Sequence, residues 1–123
     1  MLLAASGVLG ASGVALGAAS AHLGGGDFGR LASEFLLFHA AAIPGILAIC
    51  VPSGWVGQLA ASMMVIGAVC FSGDLAYLGF VGRSPVSGLA PFGGLTLIAA
   101  WLVIVAAAVG VFRQKVEIDD KTV

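Results

Sequence analysis

The chain has 123 residues, 60% of them hydrophobic and 9% charged, and carries a formal net charge of −1. So few charges and a mean hydropathy of +1.13 exclude an ordinary soluble domain, and the lack of any internal basic run excludes a nucleic-acid footprint or a polybasic lipid anchor. The partners that remain are the lipid bilayer, another membrane protein or further copies of the chain, and small solutes; no nucleic acid is expected.

Four stretches reach the roughly 20 apolar residues that a bilayer core requires, and they predict spans over 2–23, 31–51, 55–81 and 91–112. Short connections, "GGGDFG", "PSG" and "GRSPVSGLA", make neighbours antiparallel. The expected fold is all-α: an integral membrane four-helix bundle with up-and-down spans in one domain over 1–112, followed by a frayed, charged tail over 113–123.

The first span ends in "AASAH", which resembles a signal-peptidase site, but the N-terminus lacks the Lys or Arg of a basic n-region. We therefore expect a retained span. Gly13 and Gly17 stand in GxxxG spacing, extended by Ser6, Gly10 and Ala21, which predicts close helix approach, preferably to another span of the same chain. Gly24, Gly25 and Gly26 suit a helix stop, and Asp27 or Ser33 could cap the second span. Inside that span Pro44 removes a backbone donor, leaves the Ala40 carbonyl without its usual partner and predicts a kink that membrane helices tolerate.

The third span ends in "GAVCFSGDLAYLGFVG", residues 67–82, which carries a carboxylate in apolar sequence. Steps of three and four place Asp74 on one face with Ala60, Met63, Gly67, Cys70, Tyr77 and Val81. Near a helix C-terminus the dipole disfavours a carboxylate, so Asp74 must be protonated or held by a donor. Alternating span directions put His22, Glu34, His39, Asp74 and Thr96 in one half of the bilayer. Ionisable groups inside a membrane are rare enough that such a cluster is a candidate site. The plainest reading is a polar lock in which His39, or His22 or Arg30 behind it, donates to Asp74. The same groups could instead relay protons or ions.

Metal binding has little support, since no HxxxH or ExxH spacing exists, and a haem would need His22 and His39 at one depth. No cofactor and no metal are expected. Cys50 and Cys70 sit in apolar runs without metal-type spacing and read as small buried side chains. Arg30 and Glu34, at i,i+4, read as a water-facing pair. In the fourth span Pro91 suits a first helical turn, while Trp55 reads as an interfacial anchor and Trp101 as mid-span packing. Arg113, Lys115 and Lys121 outnumber Arg30 and Arg83 on the opposite side, which favours cytoplasmic termini.

In order, "GAASAH" at 17–22, "FLLFHAAA" at 35–42, "CFSGDLAYL" at 70–78, "APFGG" at 90–94 and "AAWLV" at 99–103 resemble the DUF423 family of small four-span membrane proteins. That family includes the bacterial YgdD and YwdK types and the eukaryotic transmembrane protein 256 group. The matching positions are the run leading to His22, Phe38 and His39, the "FSG" of Phe71, Ser72 and Gly73, then Pro91, Gly93, Gly94 and Trp101. Asp74 stands where serine commonly follows "FSG", and Ala90 where threonine often precedes the proline, so no role for Asp74 comes from the family. The resemblance implies the fold and a membrane location, but no activity; the expected location is the bacterial inner membrane. With no nucleophile–base pair or phosphate loop in the sequence, the expected function is that of a non-enzymatic accessory or interaction scaffold. The alternatives are a small, oligomeric proton- or ion-linked transporter or channel, and metal or haem binding.

Overall fold

A computed structural model describes residues 1–49 and 54–121, with side chains through 109; Cys50 and the connection over 51–53 lie outside the described residues. Four helices follow one another: α1 (Leu2–Leu23), α2 (Gly26–Ile49), α3 (Trp55–Val81) and α4 (Leu89–Lys121). All four contain windows long and apolar enough to cross a membrane, and no strand occurs among the described residues.

The helices pack in series. α1 lies on α2, α2 on α3 and α3 on α4, with only a small α1–α3 contact. The inner pair is accordingly the more buried, 39% and 33% of the α2 and α3 windows against 17% for α1 and for α4. Ile43 and Met64 lie fully buried between these layers, with Ala32, Ala61, Ala68 and Ala100 letting the backbones close in.

Besides a two-residue earlier start of α4, at Leu89, two boundaries differ from expectation. α2 begins at Gly26, five residues before 31, because Gly25 and Gly29 form a junction of three helices. A Cβ on Gly25 would meet the Phe80 ring, one on Gly29 would meet Ser20 Oγ, and one on Gly79 would meet the Gly25 carbonyl oxygen and, at 2.9 Å, Gly29 N. Only Gly24 (φ 88°) and Gly25 separate α1 from α2. Asp27 therefore sits inside the first turn of α2, and neither it nor Ser33 caps that helix. α4 continues through Lys121, where a frayed tail from 113 was expected, and the Arg, Gln, Lys and Glu of that stretch are good helix formers.

The α1 stripe meets α2 of the same chain. A Cβ on Gly13 would lie 2.8 Å from Leu37 Cγ and one on Gly17 2.8 Å from Ser33 Oγ, while Gly10 faces the Ala40 Cβ. Two buried hydroxyls use this closeness: Ser33 Oγ donates to the Gly13 carbonyl and Ser6 Oγ to the Ala40 carbonyl, both at 2.7 Å. The second bond answers Pro44, since Ala40 O is the acceptor that residue 44 would otherwise serve. α2 is one continuous helix through Pro44.

α3 and α4 meet at Gly67 and Gly93. A Cβ on Gly93 would strike Phe71 N, with Gly67 O at 2.8 Å, whereas one on Gly94 would rest 3.6 Å from the Phe71 ring. Two neighbouring glycines thus do different work, one allowing backbone contact and the other only ordinary packing.

Candidate functional site

The predicted polar residues occupy different depths of the bundle. His22 is exposed in the last turn of α1. Glu34 is exposed on α2 and accepts from Arg30 at 3.4 Å; Arg30 also lies 3.8 Å from Asp27, and so open a set of ion pairs contributes little stability. Asp74 is buried about 10 Å from the end of α3, and His39 is buried about 20 Å from the start of α2, by helix rise. Because α2 begins at Gly26, His39 falls at the middle of its helix and not in the first half.

The expected cluster of His22, Glu34, His39 and Asp74 is therefore not assembled. None of the four hydrogen-bonds another among the described residues, and no three His, Cys, Asp or Glu among them form a group able to hold a metal ion. Asp74 is tied to a loop and not to another span: Ser84 Oγ in the α3–α4 connection donates to its carboxyl oxygen and also lies 3.2 Å from the Val86 carbonyl. Gly82 (φ 77°) closes α3 in a left-handed cap and turns the chain back so that Ser84 reaches down to the carboxylate. Thr96 is satisfied by its own helix, donating to the Phe92 carbonyl at 2.8 Å.

This arrangement reverses the lock. In a double-mutant cycle, Asp74→Leu and His39→Phe should act additively within about 0.5 kcal/mol, whereas Asp74→Leu and Ser84→Ala should couple by about 1 kcal/mol. Reversible unfolding in mixed micelles measures both; strong coupling between His39 and Asp74 would restore the lock.

His39 belongs instead to an aromatic ladder that joins three helices. Phe71 of α3 lies 4.4 Å from Phe35 of α2, Phe35 is stacked 5.9 Å from the His39 ring, and His39 is 6.3 Å from Trp101 of α4, all between ring centroids. The His39 Nδ1 lies 2.7 Å from the Phe35 carbonyl oxygen. A carbonyl can only accept, so Nδ1 is the donor in this contact. Beside it is a cavity of about 380 Å³ lined by Phe35, Phe38, His39, Ala42 and Trp101. It is half open to the surroundings, as Phe38 is 75% and Trp101 47% exposed.

A second cavity of about 350 Å³ lies between α1, α2 and α3, and Ser72 is on its wall. Its Oγ is the one buried side-chain polar atom without a partner among the described residues.

Sequence reasoning singled out His39, Trp101, Phe71 and Ser72 only one by one. It missed Phe35 as the link and Ser84 as the partner of Asp74. Phe35 stands one helical turn before His39, the spacing at which an imidazole can reach back to a backbone carbonyl. Ser84 is the hydroxyl residue of the connection that directly follows the helix carrying the carboxylate.

A family described as protein of unknown function (DUF423) has a model that matches residues 16–94, which covers the end of α1, α2, α3 and the start of α4. No curated protein and no solved structure matches the chain.

Proposed function

This chain belongs to the DUF423 family, whose description carries no activity, and we propose from its own side chains that it is a non-enzymatic accessory or interaction scaffold. In this reading it is a multi-pass protein of the bacterial inner membrane with both termini cytoplasmic, engaging a membrane-protein partner or further copies of itself. The orientation rests on Arg113, Lys115 and Lys121 beyond the last span, by the bias of basic residues toward the cytoplasm.

One observation carries the reading: Glu34, His39 and Asp74 each have a local partner. Glu34 is paired with Arg30 on the same helix, His39 with the Phe35 carbonyl one turn earlier, and Asp74 with Ser84 in the adjoining loop. A relay needs such groups in succession at hydrogen-bond distance, and here they are spread over about 20 Å of depth. Nor does their chemistry suit catalysis, which needs a nucleophile within reach of its base. What remains is a rigid frame, close-packed through glycine and tied by Ser6 and Ser33, of the kind that holds a surface in fixed shape for a neighbour.

Proteoliposomes carrying a pH gradient test this. The gradient should decay at the rate of protein-free vesicles, and native mass spectrometry from nanodiscs should find a fixed stoichiometry with a partner or with itself. Proton-coupled flux that disappears in Asp74→Asn would overturn the scaffold in favour of a transporter.

A further inference from the structure

Hydroxyls within a membrane helix have two ordinary outlets, and the described helices use both. Ser20, Ser62 and Thr96 donate to the carbonyl one turn earlier in their own helix, while Ser6 and Ser33 donate across to a neighbouring helix. Ser72 does neither. It is 1% exposed, and its Oγ has no partner among the described residues. A buried hydroxyl left in that state is costly in hydrocarbon, so the bond must come from a molecule outside the chain.

The surroundings restrict what that molecule is. Ser72 stands on the wall of the cavity of about 350 Å³ between α1, α2 and α3, with Ser12 of α1 also on its lining. Gly73 leaves room beside it, since nothing lies within 4 Å of where its Cβ would stand. α1 and α3 run in the same direction, and the lining follows Val8, Ser12 and Leu16 along one and Val69, Ser72 and Ala76 along the other, which puts the two hydroxyls at one level. That level is deep. Ser12 lies about 15 Å by helix rise from either end of α1, close to the centre of a hydrocarbon core about 30 Å thick. Lipid headgroup oxygens sit outside that core, and acyl chains neither donate nor accept. A bulky polar ligand cannot bring its heteroatom to a side chain so sheltered. Water is small enough, and it both gives and takes hydrogen bonds.

We propose that the α1–α3 cleft binds water at mid-membrane, with one molecule bridging Ser72 Oγ and Ser12 Oγ. Ser72 donates to the water oxygen, and the water donates to a lone pair of Ser12, which has that capacity whatever its own proton does. Leu9, Leu16 and Leu36 make the rest of the lining apolar, so the water is held at the two hydroxyls and opens no polar path across the bilayer. The bridge fastens together two helices that otherwise touch only slightly. It does not rest on the scaffold reading.

The test uses full-length protein labelled with carbon-13 and nitrogen-15 in perdeuterated phosphatidylcholine bilayers, read by solid-state NMR with water protons as the source of polarisation. The Ser72 Cβ signal should build up from water well ahead of that of Ser33, which is nearly as buried but is bonded to the Gly13 carbonyl; exposed Ser87 marks the rate for a hydrated loop. Ser12→Ala removes one anchor of the bridge at an exposed position and should slow the Ser72 build-up to the Ser33 rate. A wild-type Ser72 signal no faster than that of Ser33 would overturn the proposal and return the hydroxyl to a carbonyl of its own helix. An unchanged Ser72 build-up in Ser12→Ala would overturn the bridge. The wild-type comparison decides even if Ser12→Ala fails to fold.

Discussion

Ser6→Ala should destabilise the bundle by about 2 kcal/mol in the native sequence and by only a few tenths of that in a Pro44→Ala background. Proline at 44 has no N–H, so the Ala40 carbonyl loses the donor one turn ahead. Ser6 Oγ reaches across from α1 and donates to that oxygen at 2.7 Å, with Ser6 itself only 7% exposed. Deleting the hydroxyl leaves a buried carbonyl with no donor in a medium that supplies none, which is why the cost exceeds the roughly 0.6 kcal/mol average for hydrogen bonds between membrane helices. Alanine at 44 restores the backbone donor and makes the hydroxyl redundant. Pro44 is exposed, so its replacement opens no cavity. Unfolding titrations in mixed micelles over all four combinations decide the matter, and an equal cost of Ser6→Ala in both backgrounds would show that the serine does not serve that carbonyl.

The second large effect belongs to Gly93. Gly93→Val should cost about 3 kcal/mol, while Gly94→Ala should stay within about 0.5 kcal/mol of the native protein. At Gly93 the obstacles to a Cβ are backbone atoms, Phe71 N and Cα and the Gly67 carbonyl oxygen, so α3 and α4 must move apart to admit one. Rotamer changes cannot relieve that. At Gly94 the neighbours are Phe71 ring carbons at 3.6 and 3.7 Å, an ordinary van der Waals distance. The expected sign at Gly94 includes the gain from restricting the unfolded chain. Thermal denaturation with a helix-sensitive probe resolves the difference. Comparable losses at the two positions would mean that the glycine pair acts through local helix propensity and not through interhelical contact.

Much of the architecture is legible in the sequence. The runs over 2–23 and 55–81 are predominantly apolar and end at glycines that adopt left-handed caps, so hydropathy and punctuation agree on α1 and α3. The start of α2 is hidden because Asp27, Arg30 and Glu34 read as loop by polarity, although they lie along the exposed face of a helix whose Gly25 and Gly29 are buried at a junction. That misplacement of five residues also misplaces His39 in depth, and with it the proposed pairing to Asp74. Rotation about the helix axis is equally invisible. Periodicity identifies a face of α3 but not that the Asp74 carboxyl turns to Ser84, nor that Phe35 faces Phe71. Gly93 and Gly94 look identical in sequence, and only the crossing point of two backbones separates them.

The serial packing of the helices bears on how the protein comes to be made. Every extensive contact joins elements that are consecutive along the chain, so the topology has a low contact order and little chain must be gathered before each contact forms. α1 can dock on α2 as soon as both have entered the bilayer, and the Ser33–Gly13 and Ser6–Ala40 bonds need nothing synthesised later. α3 then adds to α2, and α4 to α3, each finding its seat already in place. Assembly can keep pace with the ribosome, and no closing contact waits for the last helix to emerge.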